Sequence, residues 1–247
     1  MSLFSFLRKS KRPEKPVAEI TTDIHSHFIP AIDDGAQSME ETLDLLREMQ
    51  SLGYKKVITT PHTMTNSFDN TPEIILTGLE KVRSAIEKEE DLNIEIEAAT
   101  EYYLDESFLD RLENKEKLLT FGDNYVLVET GFMNEAPELK EASFLMTMQG
   151  YKMVLAHPER YLYLIDNKTL LEDLLDRDII LQLNIVALTG CYSKPVQKFA
   201  ESLIDMEAVK LAGSDCHNMG HIELMKQARN SKYWKKLLQL DLLNNSL

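Results

Sequence analysis

The stretch TTDIHSHFIPAIDDG, residues 21–35, sets His25 and His27 one residue apart and follows them with Asp33 and Asp34. Alternate residues of a strand point the same way, so the two imidazoles face one side. Imidazoles beside carboxylates are the donor set of a divalent metal ion. Comparable residues recur downstream: His62 in TTPH, Glu101 in ATEYY, Glu129 in LVET, His157 in LAHPERY, and Asp215 with His217 in GSDCHN. Each has a structural reading when taken alone. A histidine pair is a weak signal, a carboxylate after a strand often caps a helix, and His62 and His157 both adjoin prolines. Taken together they point to chemistry, because burying so many unpaired polar groups is costly and metal ions offset that cost.

The elements that position these groups alternate strictly. Strand-like runs EITTDIH, KKVITTPH, NIEIEAATE, NYVLVET, YKMVLAH, IILQLNI and VKLAGSD are separated by helical patterns. The helix starts carry their own signals: Ser38 and Glu41 as a capping box, Thr71 as a cap before Pro72 at the first helical position. A single helix over IELMKQARNSKYWKKLLQL is expected to close the chain. Seven β–α alternations with short connections imply a parallel sheet. The expected fold class is α/β, as a distorted TIM-like (β/α)7 barrel, with an open doubly wound sheet as the competing architecture. In a barrel, the strand ends listed above converge on one face, where active sites lie. No glycine-rich phosphate loop follows the first strand, which lowers a nucleotide-binding reading.

Composition sets further limits. The chain has 247 residues, 43% of them hydrophobic, and a net charge of −14. Such acidity argues against a nucleic-acid partner. Residues 1–20 hold five basic and two acidic side chains, a net +3, which leaves −17 for the rest. They read as a basic tail able to make weak contact with an anionic membrane surface or acidic partner, followed by one domain over 21–247. The tail lacks the order of a secretory signal, and no run is apolar enough to span a bilayer. Cys191 and Cys216 are too few for a disulfide framework, which fits a reducing cytoplasm.

The segments DIHSH, TTPH, EYY, LVET, LAHPERY and GSDCHN resemble the PHP (polymerase and histidinol phosphatase) superfamily. Within it they are most similar to the metal-dependent bacterial protein tyrosine phosphatases encoded with capsule and exopolysaccharide genes. The likeness runs from Thr22 to Asn218. It implies a distorted (β/α)7 barrel, the PHP fold, with three divalent metal ions. One ion would be held by His25, His27, Glu101 and Asp215, a second by Glu101, Glu129 and His157, and a third by Asp34, His62 and His217. Asp33 rivals Asp34 on spacing. After Asn218 the sequence reads MGHIE where the resemblance implies an arginine. His221 is read as a surface residue.

Three divalent ions against Asp34, Glu101, Glu129 and Asp215 leave a local charge of roughly +2, suited to a phosphate dianion. The imidazoles favour Mn, Fe or Zn over Mg. The nucleophile would be a water or hydroxide bridging two ions, its pKa lowered toward neutrality. Arg160, in HPER just beyond His157, could bind the phosphate; with Asp34 it completes the catalytic candidates. Cysteine-based phosphatase chemistry is excluded, since positions 197 and 222, six after each cysteine, hold Gln and Ile. No G-x-S-x-G elbow is present for a serine hydrolase. The resemblance implies hydrolysis of phosphotyrosine on the tail of a bacterial tyrosine kinase that controls polysaccharide synthesis. The alternative is a small-molecule phosphatase of the histidinol-phosphatase type. A PHP nuclease conflicts with the charge, and a purely binding role conflicts with the intact donor set. Tyr102, Tyr103, Phe132 and Met133 are candidates for an aromatic wall.

Overall fold

The computed structural model describes residues 19–247, so the basic stretch and its membrane reading lie outside the described residues except for Glu19 and Ile20. Ile20 is buried in the core, and the Glu19 carbonyl accepts from Asn245 Nδ2. The described chain is α/β with every ladder parallel. Nine short strands occur where seven are predicted: β1 (Thr22–Asp23), β2 (Lys56–Thr59), β3 (His62–Thr63), β4 (Glu95–Ala98), β5 (Glu101–Tyr103), β6 (Tyr125–Glu129), β7 (Lys152–Ala156), β8 (Ile180–Asn184) and β9 (Val209–Gly213). They form a three-stranded sheet, β1-β2-β4, and a six-stranded sheet, β3-β5-β6-β7-β8-β9.

The two extra strands arise from one interruption. KKVITTPH splits into β2 and β3, and NIEIEAATE into β4 and β5. Thr59 pairs with Ala98 and His62 with Glu101, the same offset of 39 residues on both sides of the break. Register is therefore kept. Pro61 has no N–H to give the ladder, while its carbonyl accepts from Glu101 N (3.1 Å) and Thr100 Oγ1 (2.6 Å).

Hydrogen bonds also join β1 to β9 across the two sheets. Beyond the strand ends, Asp215 N donates to the His25 carbonyl at 2.7 Å and His27 N to the Cys216 carbonyl at 2.9 Å. Ser214 N and Oγ both donate to the buried Asp23 carboxylate. At the other end, Asn244 Nδ2 donates to the Thr22 and Ala212 carbonyls. Alternate strand residues from both sheets, including Ile24, Ile58, Leu127, Val154, Ala156 and Leu211, form a small apolar cluster of their own. The larger core lies between the sheets' other faces and the helices.

The helices are α1 (Met39–Ser51), α2 (Pro72–Ile86), α3 (Glu106–Glu113), α4 (Leu139–Met148), α5 (Lys168–Asp176), α6 (Lys194–Asp205), α7 (Met219–Ala228) and α8 (Lys232–Leu237). Ser38 caps α1 by accepting from Glu41 N, but Glu41 returns its carboxylate to Gln37 N and not to Ser38 N. Thr71 caps α2 as expected. The single closing helix is two, because Ser231 accepts from Trp234 N and begins α8 afresh. No helix among the described residues is long and apolar enough to cross a membrane.

Candidate metal centre

The structure brings all nine predicted donors to one end of the strands. His25 and His27 follow β1, His62 opens β3, Glu101 opens β5, and Glu129 closes β6. His157 follows β7, and Asp215 and His217 follow β9. His157 and Asp215 have φ of 33° and 50°, a left-handed conformation that non-glycine residues avoid.

Around Glu101, His25 Nε2 lies 3.2 Å from Oε2, His27 Nε2 3.8 Å from Oε2, and His157 Nε2 3.1 Å from Oε1. Asp215 Oδ1 is 3.4 Å from His25 Nε2 and 3.5 Å from His27 Nε2. Glu129 is 3.7 Å from His157 Nε2. Further out, Asp34 Oδ1 sits 3.6 Å from His62 Nε2 and 3.3 Å from His217 Nε2. His62 turns its other nitrogen to Glu101 and Glu129, at 3.1 and 3.3 Å, so it stands between the inner and outer groups. Donor atoms within 4.8 Å of one another define four overlapping groups: His27 with Asp34, His62 and His217; His25 with His157 and Asp215; His25 with His27 and Glu101; and His62 with Glu101 and Glu129. The inner residues are fully buried, whereas the Asp34 side chain is 58% exposed.

The imidazoles are oriented from behind. His25 Nδ1 is 2.9 Å from Gln182 Oε1, His27 Nδ1 is 2.8 Å from Asp33 Oδ2, and His217 Nδ1 is 2.9 Å from the Asp215 carbonyl. In each case an oxygen holds Nδ1 and leaves Nε2 facing the cluster, the arrangement that fixes a ligand tautomer. His27 Nε2 and His62 Nδ1 are buried facing carboxylates without being well aligned for hydrogen bonds to them. Carboxylates face these nitrogens at distances a cation would close, so the donor set fits divalent metal ions.

Charge follows from this crowding. Burial disfavours a charged imidazole at His25, but Glu101 and Asp215 outweigh it and raise its pKa to about 10. His62 is raised to about 9 on the same balance, with Glu101 and Glu129 as the opposing charges. The hydrogen bond from His217 leads in lowering Asp34 to about 2. Burial works against ionised Glu101 and Asp215, yet the surrounding histidines hold both well below the usual carboxylate range.

Asp33 and Asp34 have different jobs. Asp33 is buried and accepts from His27 Nδ1, Gly35 N and His62 N, while Asp34 faces the cluster. A methyl group on Gly35 would run into the His27 carbonyl, which explains the glycine of the DDG turn. Asp33 adds a fifth carboxylate to the local charge count, and the guanidinium of Arg160 balances it.

A family model for capsular polysaccharide synthesis, CpsB/CapC, matches residues 21–238. The chain belongs to the CpsB/CapC family. It is 27% identical to the tyrosine-protein phosphatase YwqE of Bacillus subtilis, over 80% of this chain and 77% of that protein. It is 30% identical to the tyrosine-protein phosphatase CpsB of Streptococcus pneumoniae, over 80% and 83% respectively. A solved chain from the crystal structures of YwqE and CpsB, metal-dependent tyrosine phosphatases, superposes with a TM-score of 0.76 at 24% identity, covering 90% of this chain and 95% of that one. That superposition establishes the shared fold.

On this CpsB/CapC scaffold, a cavity of about 430 Å³ opens over the cluster. Arg160 lines it, with Nη1 2.9 Å from Asp215 Oδ2 and its guanidinium 4.5 Å from the ring centres of both Phe132 and Tyr192. Of the four residues expected to form an aromatic wall, only Phe132 lines the cavity. Tyr102 is buried in the core and its hydroxyl accepts from Leu119 N. Phe68 and Tyr192 line the cavity instead.

His221 is not a free surface residue. It lines the same cavity, with its Nδ1 3.1 Å from His217 N and 2.9 Å from the Asp215 carbonyl. Sequence reasoning also passed over Gln182 and Asn184. Gln182 holds His25, and Asn184 Nδ2 donates to Asp215 Oδ2 at 2.8 Å. The signal was their spacing: two amides at alternate positions of IILQLNI, an otherwise apolar run. Glu159 is likewise buried, accepting from Asn184 N, and burial raises its pKa to about 8.

Proposed function

We propose that this CpsB/CapC chain is a metal-dependent protein tyrosine phosphatase, working in the cytoplasm on the phosphorylated tyrosine-bearing tail of a bacterial tyrosine kinase that controls capsule or exopolysaccharide synthesis. The tyrosine phosphatase relatives support the activity. One structural observation carries it: five imidazoles and four carboxylates converge, their nitrogens and oxygens facing one another within 4.8 Å in overlapping groups. The fold supporting this site is a distorted seven-stranded barrel. The Ser26–Cys216 bridge and the constant register across the β2–β3 break favour closure.

Three divalent ions are proposed, with Mn first and Fe or Zn as alternatives. His25, His27, Glu101 and Asp215 would hold one. Glu101, Glu129 and His157 would hold the next, and Asp34, His62 and His217 the outermost. When bound, such ions supply Lewis acidity to phosphoryl oxygens and acidify water. The protein's own part is binding and orientation. Asp215 Oδ2 and the two flanking rings fix Arg160 at the cavity wall, where its remaining donors can take phosphate oxygens. Asn184 holds Asp215 from behind. Histidinol phosphate is the competing substrate.

The test is Mn-dependent phosphate release from a phosphotyrosine peptide and from histidinol phosphate, with EDTA and His157→Ala as controls. Strong peptide turnover that both controls abolish is expected. Preference for histidinol phosphate would overturn the substrate, and no turnover with Mn, Fe or Zn would overturn the activity.

A further inference from the structure

Two loops contribute aromatic rings to the wall of the cavity over the donors. The loop after β3 is a tight turn in which Met64 N donates to the Phe68 carbonyl at 3.0 Å and Phe68 N to the Met64 carbonyl at 2.8 Å. Asn66, at φ 65°, makes the reversal, and Asn70 Nδ2 ties the loop to the His62 and Ile32 carbonyls. The result lays the Phe68 ring nearly parallel to the His62 imidazole, 15° between planes and 5.5 Å between centres. The loop after β6 brings up Phe132. Its carbonyl accepts from Leu162 N at 2.8 Å, and its ring, 38% exposed, lies against Arg160. Both rings line the cavity that holds His62, His157 and Arg160.

We propose that Phe68 and Phe132 form an aryl subsite that receives the phenyl ring of the substrate while its phosphate faces Arg160 and the donor cluster. The inference rests on the phosphatase reading and deepens it. Both rings share the cavity wall with Arg160 and the donors, so the organic group of a phosphate ester held there lies beside them. An aromatic group gains stacking and burial there that a short alkyl group cannot match. Neither ring is needed to complete the core. Phe132 is exposed, and Phe68 is half-buried on a loop outside the sheets.

The decisive comparison is the binding of phenylphosphonate and methylphosphonate to the Mn-loaded protein by calorimetry. The two differ in the organic group and neither is hydrolysed. Wild type should bind phenylphosphonate the more tightly. Phe68→Ala and Phe132→Ala should each weaken it roughly threefold to tenfold relative to methylphosphonate. Phe68 stacks on His62 and not on Arg160, so where metal content is unchanged Phe68→Ala should weaken methylphosphonate far less than phenylphosphonate. Metal content measured alongside excludes an indirect effect through His62, and Phe68→Leu stands in if the alanine variant does not fold. Equal wild-type affinity for both ligands, or equal weakening of both in the variants, would overturn the subsite. The phosphatase reading fails separately, if wild type releases no phosphate from phosphotyrosine.

Discussion

Gln182→Leu should weaken metal binding at the centre without unfolding the protein. The glutamine is fully buried on β8, and its Oε1 is the acceptor that fixes His25 Nδ1–H, at 2.9 Å, while also taking the His157 N–H at 3.3 Å. Leucine fills similar space but offers no acceptor. The buried His25 donor is then unpaired whenever Nε2 faces the cluster, at a cost of about 1–3 kcal/mol. That range corresponds to roughly tenfold to a hundredfold in metal affinity, the span expected when the group behind a ligating histidine is lost. Gln182→Glu keeps an acceptor in place and should recover most of the affinity. The assay is competition for Mn against a chelator of known strength, with thermal unfolding of the metal-free variants as the control. The reasoning is refuted if the leucine variant binds Mn like wild type, or if the glutamate variant loses as much as the leucine variant.

Asp34→Ala should lower metal content by about one ion per chain and leave the inner ions in place, read by elemental analysis. Asp33→Ala should weaken all metal binding and destabilise the fold by about 1–3 kcal/mol, because three donors lose their acceptor. Gly35→Ala should cost about 1–3 kcal/mol by overpacking against the His27 carbonyl, measured by denaturant unfolding. pH should act in opposite directions on the metal-free and loaded proteins. The His25 and His62 pKa values are raised from 6.5 to about 10 and 9. Their pairing with carboxylates stabilises the metal-free protein fully below pH 6.5, and that contribution fades as pH climbs through 9 and 10. Metal ligation needs the neutral imidazoles, so Mn affinity should rise over the same interval and binding at pH 7.5 should release protons. Calorimetry in buffers of different ionisation enthalpy counts them, and zero release would contradict the raised values.

Much of this was legible because the chemistry sits where sequence and topology coincide. Strand ends are easy to find from apolar runs, and polar residues at those ends stand out against them. His25, His27, His62, Glu101, Glu129, His157, Asp215 and His217 all declared themselves this way. Asp34 did not, because in a turn the spacing of two adjacent aspartates says nothing about which one points inward. In the structure Asp33 lies behind His27 at its Nδ1, while Asp34 faces His62 and His217. The strand count failed at Pro61, where a missing N–H interrupts a ladder whose register nevertheless continues.

His221 and the β8 amides were missed for a deeper reason. Neutral polar residues carry no charge signal, and an isolated histidine on a helix looks like any surface residue. Their role appears only when the partner is known: Gln182 matters because His25 needs an acceptor, and Asn184 because Asp215 needs a donor. The candidate donors are written at strand ends, but their orientation is set by residues from other strands. A substitution that keeps every ligand can therefore still disable the centre.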